Sequence, residues 1–249
     1  MAREAYNQGL SALEAWCRDN PEDIDRELEL TIISSVGSET GSILLRAIRN
    51  LNIAAMNVLL RHGADPFAKM RVDHPFGADP YMGDGDSAIH LAARTEVHNR
   101  DEEASTARVI ELLLDAGVDV DTTNPRGTTA LMFAARRDHL SCVKLLLSRN
   151  ADVFHRNNQG DDAQSLSPVY PIKYAVAEFL AEVKKAGGWR PYVTAPRLRL
   201  VVLRALCDRR RATPPAGSVL ARAFDLPHGV FWNVVGYWRH GLDYLGPGD

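Results

Sequence analysis

The sequence predicts an all-α solenoid of short stacked helix pairs, with a small helical module behind it. Three observations carry this. An eight-residue segment recurs three times without gaps, as Ser42-Ile-Leu-Leu-Arg-Ala-Ile-Arg49, Ser87-Ala-Ile-His-Leu-Ala-Ala-Arg94 and Thr129-Ala-Leu-Met-Phe-Ala-Ala-Arg136. A Leu-rich segment also recurs three times, as Val58-Leu-Leu-Arg-His-Gly-Ala-Asp65, Leu112-Leu-Leu-Asp-Ala-Gly-Val-Asp119 and Leu145-Leu-Leu-Ser-Arg-Asn-Ala-Asp152. Gly117 and Asn150, which end two of these segments, are separated by a period of about 33 residues, one that stacked helix pairs use.

Each part has a physical reading. Ser42, Ser87 and Thr129 stand where a side-chain oxygen can accept backbone N–H bonds and cap a first helix. The Ala-Ala steps let helices approach closely, and the Leu triplets supply the buried stripe of a second helix. Gly63, Gly117 and Asn150 stand where that helix must end in a left-handed conformation.

The spacings locate two insertions. The interval from Ser42 to Gly63 equals that from Thr129 to Asn150, but the interval from Ser87 to Gly117 is nine longer. The nine extra residues therefore lie near Thr95–Thr106, between two helices. The interval from Gly63 to Ser87 is twice that from Gly117 to Thr129, so twelve extra lie near Lys69–Asp84, in the finger between two repeats. The nine-residue insertion, Glu96–Ala104, is polar and acidic and is expected to project into water.

A fourth, degenerate repeat starts in register at Gly160, one full period after Gly127. Pro168 and Pro171 interrupt it, and a second helix follows over Ile172–Ala186 to Gly187-Gly188. At the other end, Leu10–Arg18 and Asp23–Ile33 read as a helical pair around Pro21 that seals the solenoid. The expected domains are an N-terminal cap over 1–37, repeats over 38–187 and a helical module over 188–249.

The repeated unit resembles the ankyrin repeat, most closely in Ser87-Ala-Ile-His-Leu-Ala92 followed by Asn124-Pro-Arg-Gly-Thr-Thr-Ala-Leu131. The resemblance covers about residues 38–187, with three clear repeats and degenerate units at the flanks. It implies a module that binds other proteins, and for His90 it implies hydrogen bonds within and between repeats.

The last segment has its own pattern. Pro196–Asp208 carries a helical stripe at Leu198, Val201, Val202, Ala205 and Leu206. A short helix is expected over Ser218–Phe224, and another from Leu226-Pro227 with the stripe Phe231, Val234, Val235 and Trp238. Leu203-Arg-Ala-Leu-Cys207, with Leu226-Pro227 farther along, is weakly similar to a SOCS box, the helical adaptor of some ubiquitin-ligase substrate receptors. Arg211 and the single Leu-Pro depart from that pattern, and a C-terminal helical cap is the favoured alternative.

Composition narrows the function classes. Net charge is -3, against a dedicated nucleic-acid binder. Residues 187–249 hold nine Arg and no Lys against four Asp, a net of +5, which leaves -8 on residues 1–186. Cys17, Cys142 and Cys207 are isolated, which argues against a disulfide framework or zinc site and fits an intracellular setting, cytoplasmic or inside an organelle. The N-terminus reads as no secretory signal, and no apolar run approaches the roughly 18 residues of a membrane span. No catalytic or cofactor motif is present, so the expectation is a non-enzyme without cofactor or metal that contacts proteins, including subunits of a large complex. Met82-Gly-Asp-Gly-Asp86 reads as the turn closing the inserted finger.

The candidate contact residues follow from side-chain type. The finger insertion offers Phe67, Met70, Val72, Phe76, Tyr81 and Met82, aromatic and Met side chains that suit an interface core. The same side chains would serve equally well if the finger folded back onto the repeats. In the C-terminal module, Arg209, Arg210 and Arg211 form a basic cluster beside the aromatics Trp232 and Trp238.

Overall fold

The inner helices are apolar on almost every side, so each needs cover all round, and stacking supplies it. The computed structural model describes residues 2–25, 28–29, 38–73, 85–167 and 175–194. The chain divides into two units, Met1–Ala181 and Glu182–Asp249.

The first unit is built from helix pairs whose two members pack on each other. They are α1 (Ala2–Gln8) with α2 (Leu10–Asp19), α3 (Ile43–Arg49) with α4 (Ile53–Arg61), α5 (Ala88–Arg94) with α6 (Arg100–Asp115), and α7 (Ala130–Arg136) with α8 (Leu140–Ser148). A fourth repeat opens with α9 (Ala163–Leu166), and α10 (Ala175–Lys185) runs across the boundary between the units. Inner helices stack α3 on α5, α5 on α7 and α7 on α9, while outer helices stack α2 on α4, α4 on α6 and α6 on α8. This is the all-α solenoid the sequence predicts. Leu44, Leu45, Ile48, Met56, Leu59, Ile89, Ile110, Leu113 and Leu131 are all under 2% exposed. Each such side chain contributes about 1.5–3 kcal/mol of burial free energy.

The N-terminal pair differs from expectation. Helices form over α1 and α2, separated by Gly9 at φ 113°, and the described residues of the range Asp23–Ile33 are not α-helical. Pro21–Asp23 is a 3-10 turn, and Leu28–Glu29 is a strand, β1. The Glu27-Leu28-Glu29-Leu30 alternation has the period of a strand, not of a helix. Asp25 is already a repeat-type junction, because its Oδ1 accepts the Asp65 N–H at 2.8 Å. Asp121 accepts the Asp152 N–H in the same way two repeats later, at 2.9 Å.

The insertions extend elements that the other repeats also have. In the finger, β1 pairs antiparallel with β2 (Ser38–Gly41), and β2 pairs antiparallel with β3 (Arg71–Asp73), with Glu39 opposite Val72. Met70 and the chain at Gly85-Asp86 exchange backbone bonds of 2.8 and 2.9 Å, which closes the root of the insertion. Gly85 holds φ 88° there, in the turn expected over Met82–Asp86.

The nine-residue insertion, Glu96–Ala104, holds no buried residue, as expected, and much of it is helix. It lengthens the outer helix, so that α6 has 16 residues where α4 and α8 have nine each. Asn99 caps it by accepting the Glu102 N–H at 2.8 Å, and three acidic residues fill the first turn, where the helix dipole favours them. The extension then reaches forward. Glu103 Oε1 accepts the Ser141 N–H of α8 at 2.7 Å, and Glu96 pairs with Arg137 at 2.9 Å.

The caps are unequal. Thr129 Oγ1 accepts the Met132 N–H at 3.4 Å, and Ser87 is paired through the His90 ring. Ser42 departs from the expected cap: it is buried and its hydroxyl has no hydrogen-bond partner. Asp162 caps α9 by accepting the Gln164 and Ser165 N–H groups, both at 3.0 Å. That helix stops after one turn at Ser167, whose extended backbone is what a following proline imposes.

In the second unit, Gly188 N–H bonds the Val183 carbonyl at 2.9 Å and ends α10 with Gly187 at φ 90°. Residues 189–194 are helical, and Trp189 stacks on Tyr192 with ring centres 6.0 Å apart. The helices expected over Pro196–Asp208, Ser218–Phe224 and from Leu226 lie outside the described residues.

Candidate protein-binding surface

Two aromatic side chains stand out from the repeats at equivalent positions. Phe67 is 55% exposed and Phe154 is 50% exposed. Each lies two residues after the aspartate that closes a Leu-rich helix, and that aspartate folds a local turn beneath it. Asp65 Oδ1 accepts the Phe67 N–H at 2.9 Å, and Asp152 Oδ1 accepts the Phe154 N–H at 2.8 Å. The third equivalent position holds Asp121, whose N–H bonds Asp119 at 3.1 Å. Phe154 is not among the candidates that the sequence singles out, although its alignment with Phe67 is a signal that finds it.

The inserted finger is split between surface and core. Met70 is 1% exposed, so it joins the core and is not available on the surface. Its Sδ accepts the Arg94 Nη2 hydrogen at 3.3 Å. The reason is the closure just described, which turns the backbone at residue 70 back onto α5. Val72 sits in β3. Phe76, Tyr81, Met82, Arg209, Arg210, Arg211, Trp232 and Trp238 lie outside the described residues.

Beneath the finger is a buried polar cluster. Asp86 is fully buried, with Oδ1 accepting the Asn124 side-chain N–H at 2.8 Å and Oδ2 lying 3.6 Å from Arg94 Nε. Asn124 Oδ1 in turn accepts the Arg126 and Thr128 N–H groups at 3.0 and 2.9 Å. One carboxylate thus ties the root of one finger to the shape of the next.

His90 does what the resemblance implies. Its Nδ1 accepts the Ser87 N–H at 3.1 Å, and its Nε2 donates to the Thr122 carbonyl of the following finger at 2.9 Å. Its ring meets Phe133 edge-on at 5.9 Å. Burial lowers its pKa, and burial also lowers that of His139. Burial pushes the Cys142 thiol up, which leaves it a packing residue in α8.

The outer helices carry charge of both signs, with Arg61 on α4, Arg100 and Arg108 on α6 and Lys144 on α8 beside the acidic residues of α6. Outer helix α6 carries Asp101, Glu102, Glu103, Glu111 and Asp115, and Arg149 pairs with both Glu111 and Asp115, at 3.3 and 2.8 Å. The inner helices α3, α5 and α7 carry Arg46, Arg49, Arg94 and Arg136 with no acidic residue. Among the described residues, no helix is long and apolar enough to cross a membrane, and no cluster of His, Cys, Asp and Glu could hold a metal.

The family model for ankyrin repeats matches residues 44–157 in three copies. These residues are ankyrin repeats, a protein–protein interaction module. The chain is 32% identical over 98 residues to a Rickettsia bellii protein named for its ankyrin repeats, covering 39% of this chain and 54% of that protein. It is 29% identical over 151 residues to alpha-latrocrustotoxin-Lt1a of Latrodectus tredecimguttatus, covering 61% of this chain and 8% of the toxin. It is 34% identical over 90 residues to E3 ubiquitin-protein ligase KEG of Arabidopsis thaliana, covering 35% of this chain and 5% of the ligase. The chain therefore spans at most 54% of the length of these relatives.

Proposed function

We propose that this protein is a non-catalytic scaffold or adaptor that joins protein partners within a larger intracellular assembly. In this reading 1–37 seals one end of the array, 38–187 is the binding surface and 188–249 is a separate contact module. The observation that carries it is the pair Phe67 and Phe154, exposed at the same position of two repeats and each held by an aspartate turn. A large aromatic left in water on a rigid turn suits an interface anchor, because little side-chain entropy is lost when a partner covers it. In this reading Val72, Phe76, Tyr81 and Met82 of the finger are further contact residues of the repeats, and Arg209–Arg211, Trp232 and Trp238 are those of the separate C-terminal module. Affinity purification from the native cells, followed by mass spectrometry after a salt wash, tests it. Stoichiometric partners that are lost when Phe67 and Phe154 are changed to Ser support it. An empty eluate counts against it.

A second reading is a substrate receptor of a cullin-type ubiquitin ligase. Its support is Leu203-Arg-Ala-Leu-Cys207 with Leu226-Pro227 behind the repeats. Purified elongin and cullin subunits that fail to bind the full chain would sink it.

A further inference from the structure

The two exposed phenylalanines do not stand alone. Each belongs to a constellation of three residues that the chain builds twice. Asp25 Oδ1 accepts the Asp65 N–H at 2.8 Å, and Asp65 Oδ1 accepts the Phe67 N–H at 2.9 Å. Two repeats on, Asp121 Oδ1 accepts the Asp152 N–H at 2.9 Å, and Asp152 Oδ1 accepts the Phe154 N–H at 2.8 Å. Asp25, Asp65 and Asp152 are exposed, as are both rings, and Asp121 is half-buried. Each exposed ring thus has two carboxylates linked to it through a short chain of hydrogen bonds.

The turns account for the oxygens but not for the charge. Asparagine builds the same turn, and this chain uses it elsewhere: Asn124 Oδ1 accepts the Arg126 N–H at 3.0 Å, and Asn157 Oδ1 accepts the Gln159 N–H at 2.9 Å. Among the described residues, Asp25, Asp65, Asp121 and Asp152 make no ion pair with Lys or Arg. Arg156, near Phe154 in the chain, bonds the Gly160 carbonyl and faces Asp162 instead. The carboxylates also work against one another. Burial first, and then the charges of Asp152 and Asp119, raise the pKa of Asp121, while its bond to the Asp152 N–H and the charge of His155 oppose the shift. Negative charge gathered in this way costs free energy in the isolated chain and is favourable once a cation lies against it.

We propose that the two constellations seat two arginine side chains from one extended segment of a partner protein, each guanidinium pairing with the aspartates and lying against the phenyl ring. The inference rests on the adaptor reading and names the chemistry of one partner. Arginine fits because its planar group makes paired, charge-assisted hydrogen bonds to carboxylates and also stacks on an aromatic face. Packed helices lie about 8–10 Å apart, so two repeat steps span roughly 16–20 Å. An extended peptide advances about 3.3 Å per residue. The fitting segment therefore carries two Arg about six residues apart, an even spacing that also puts both on one side of the strand.

The test uses the full chain and fluorescein-labelled peptides of Ser and Gly that hold two Arg, either six residues apart or adjacent. Fluorescence anisotropy at low salt reads the affinity. The spaced peptide should bind about tenfold or more tighter than the adjacent one, because it alone reaches both places. The spaced peptide with Lys for Arg should bind more weakly. Asp65→Asn/Asp152→Asn keeps the oxygens that hold the turns, so it should melt in urea like the wild type. It should nevertheless weaken binding about tenfold or more, as the loss of charged hydrogen bonds implies. Asp19→Asn/Asp101→Asn, which removes the same charge at exposed positions elsewhere, should leave binding unchanged. No binding, equal binding of the spaced peptide and either of the other two, or equal binding by the Asp65/Asp152 variant overturns the proposal. An equal loss in the Asp19/Asp101 variant also overturns it, in favour of diffuse attraction by net charge. Should the Asp65/Asp152 variant lose stability, the comparison of peptides on the wild type decides alone. If that variant is stable and retrieves the same partners from cells as the wild type, the arginine assignment falls and the adaptor reading stands. If the peptides bind as expected but the full chain retrieves no partner, the adaptor reading alone falls.

Discussion

The Asp121 carboxylate accepts the backbone N–H of Asp152, 31 residues ahead, at 2.9 Å. Burial, followed by the charges of Asp152 and Asp119, raises its pKa, and the backbone bond opposes that shift. The folded state thus wants the acceptor and tolerates the charge poorly. Asp121→Asn keeps an acceptor without the charge, and is expected to match or exceed the wild type in urea melts at pH 7. Asp121→Ala leaves the Asp152 N–H without its acceptor, and is expected to lose about 1 kcal/mol. Equal stability of the two variants would contradict this account.

The Asp86–Arg94 pair should behave as a buried ion pair. Removing one partner, as in Asp86→Ala, leaves Arg94 and Asn124 facing an empty site and is expected to cost about 3–5 kcal/mol. The double change Asp86→Leu/Arg94→Met removes both charges, and is expected to cost less than the sum of the single changes. A double-mutant cycle in chemical denaturation reads the difference. Additive costs would mean that the two side chains do not interact.

Acid should loosen the array through its buried histidines. Burial holds the pKa of His90 and His139 below the value of about 6.5 that the unfolded chain has. Below that value the unfolded state takes up protons that the folded state refuses, so stability is full above it and falls with pH beneath it. Denaturant melts between pH 7.5 and 5 should show the decline. His139→Gln should show a shallower one, and an identical slope would place the titrating group elsewhere.

Phe67→Ser and Phe154→Ser should leave thermal melting nearly unchanged, within about 0.5 kcal/mol, because side chains that are half in water contribute little to folding. The same variants should lose partners in affinity purification. A large stability loss would instead assign the two rings to the fold.

Much of the fold was legible in the sequence, for identifiable reasons. Asn150 reads as a helix end because its side chain tolerates the left-handed backbone, and it takes φ 69°. The two insertions were legible by interval alone, since fixed repeat lengths leave nowhere else for extra residues. Their shapes were not. Nothing in Glu96–Ala104 distinguishes a loop from a helix that starts early, until Glu103 is seen to meet Ser141. The cluster at Asp86 was hidden because its partners, Arg94 and Asn124, come from a helix and from the next finger. Met70 read as an interface residue because Met suits surface and core alike, and only the backbone exchange with Gly85-Asp86 decides between them. Phe154 was legible in principle but lay outside the insertion that drew notice.

The lengthened α6 has a consequence for how the array comes apart. In a molecule whose segments touch only their neighbours, resistance to pulling belongs to the joints as well as to the segments. The joint between the second and third repeats carries two clasps that an ordinary-length α6 would lack, from Glu103 to Ser141 and from Glu96 to Arg137. Stretched between its ends, the chain should therefore surrender its first repeat before these two, which would hold together as one block and yield in a single step.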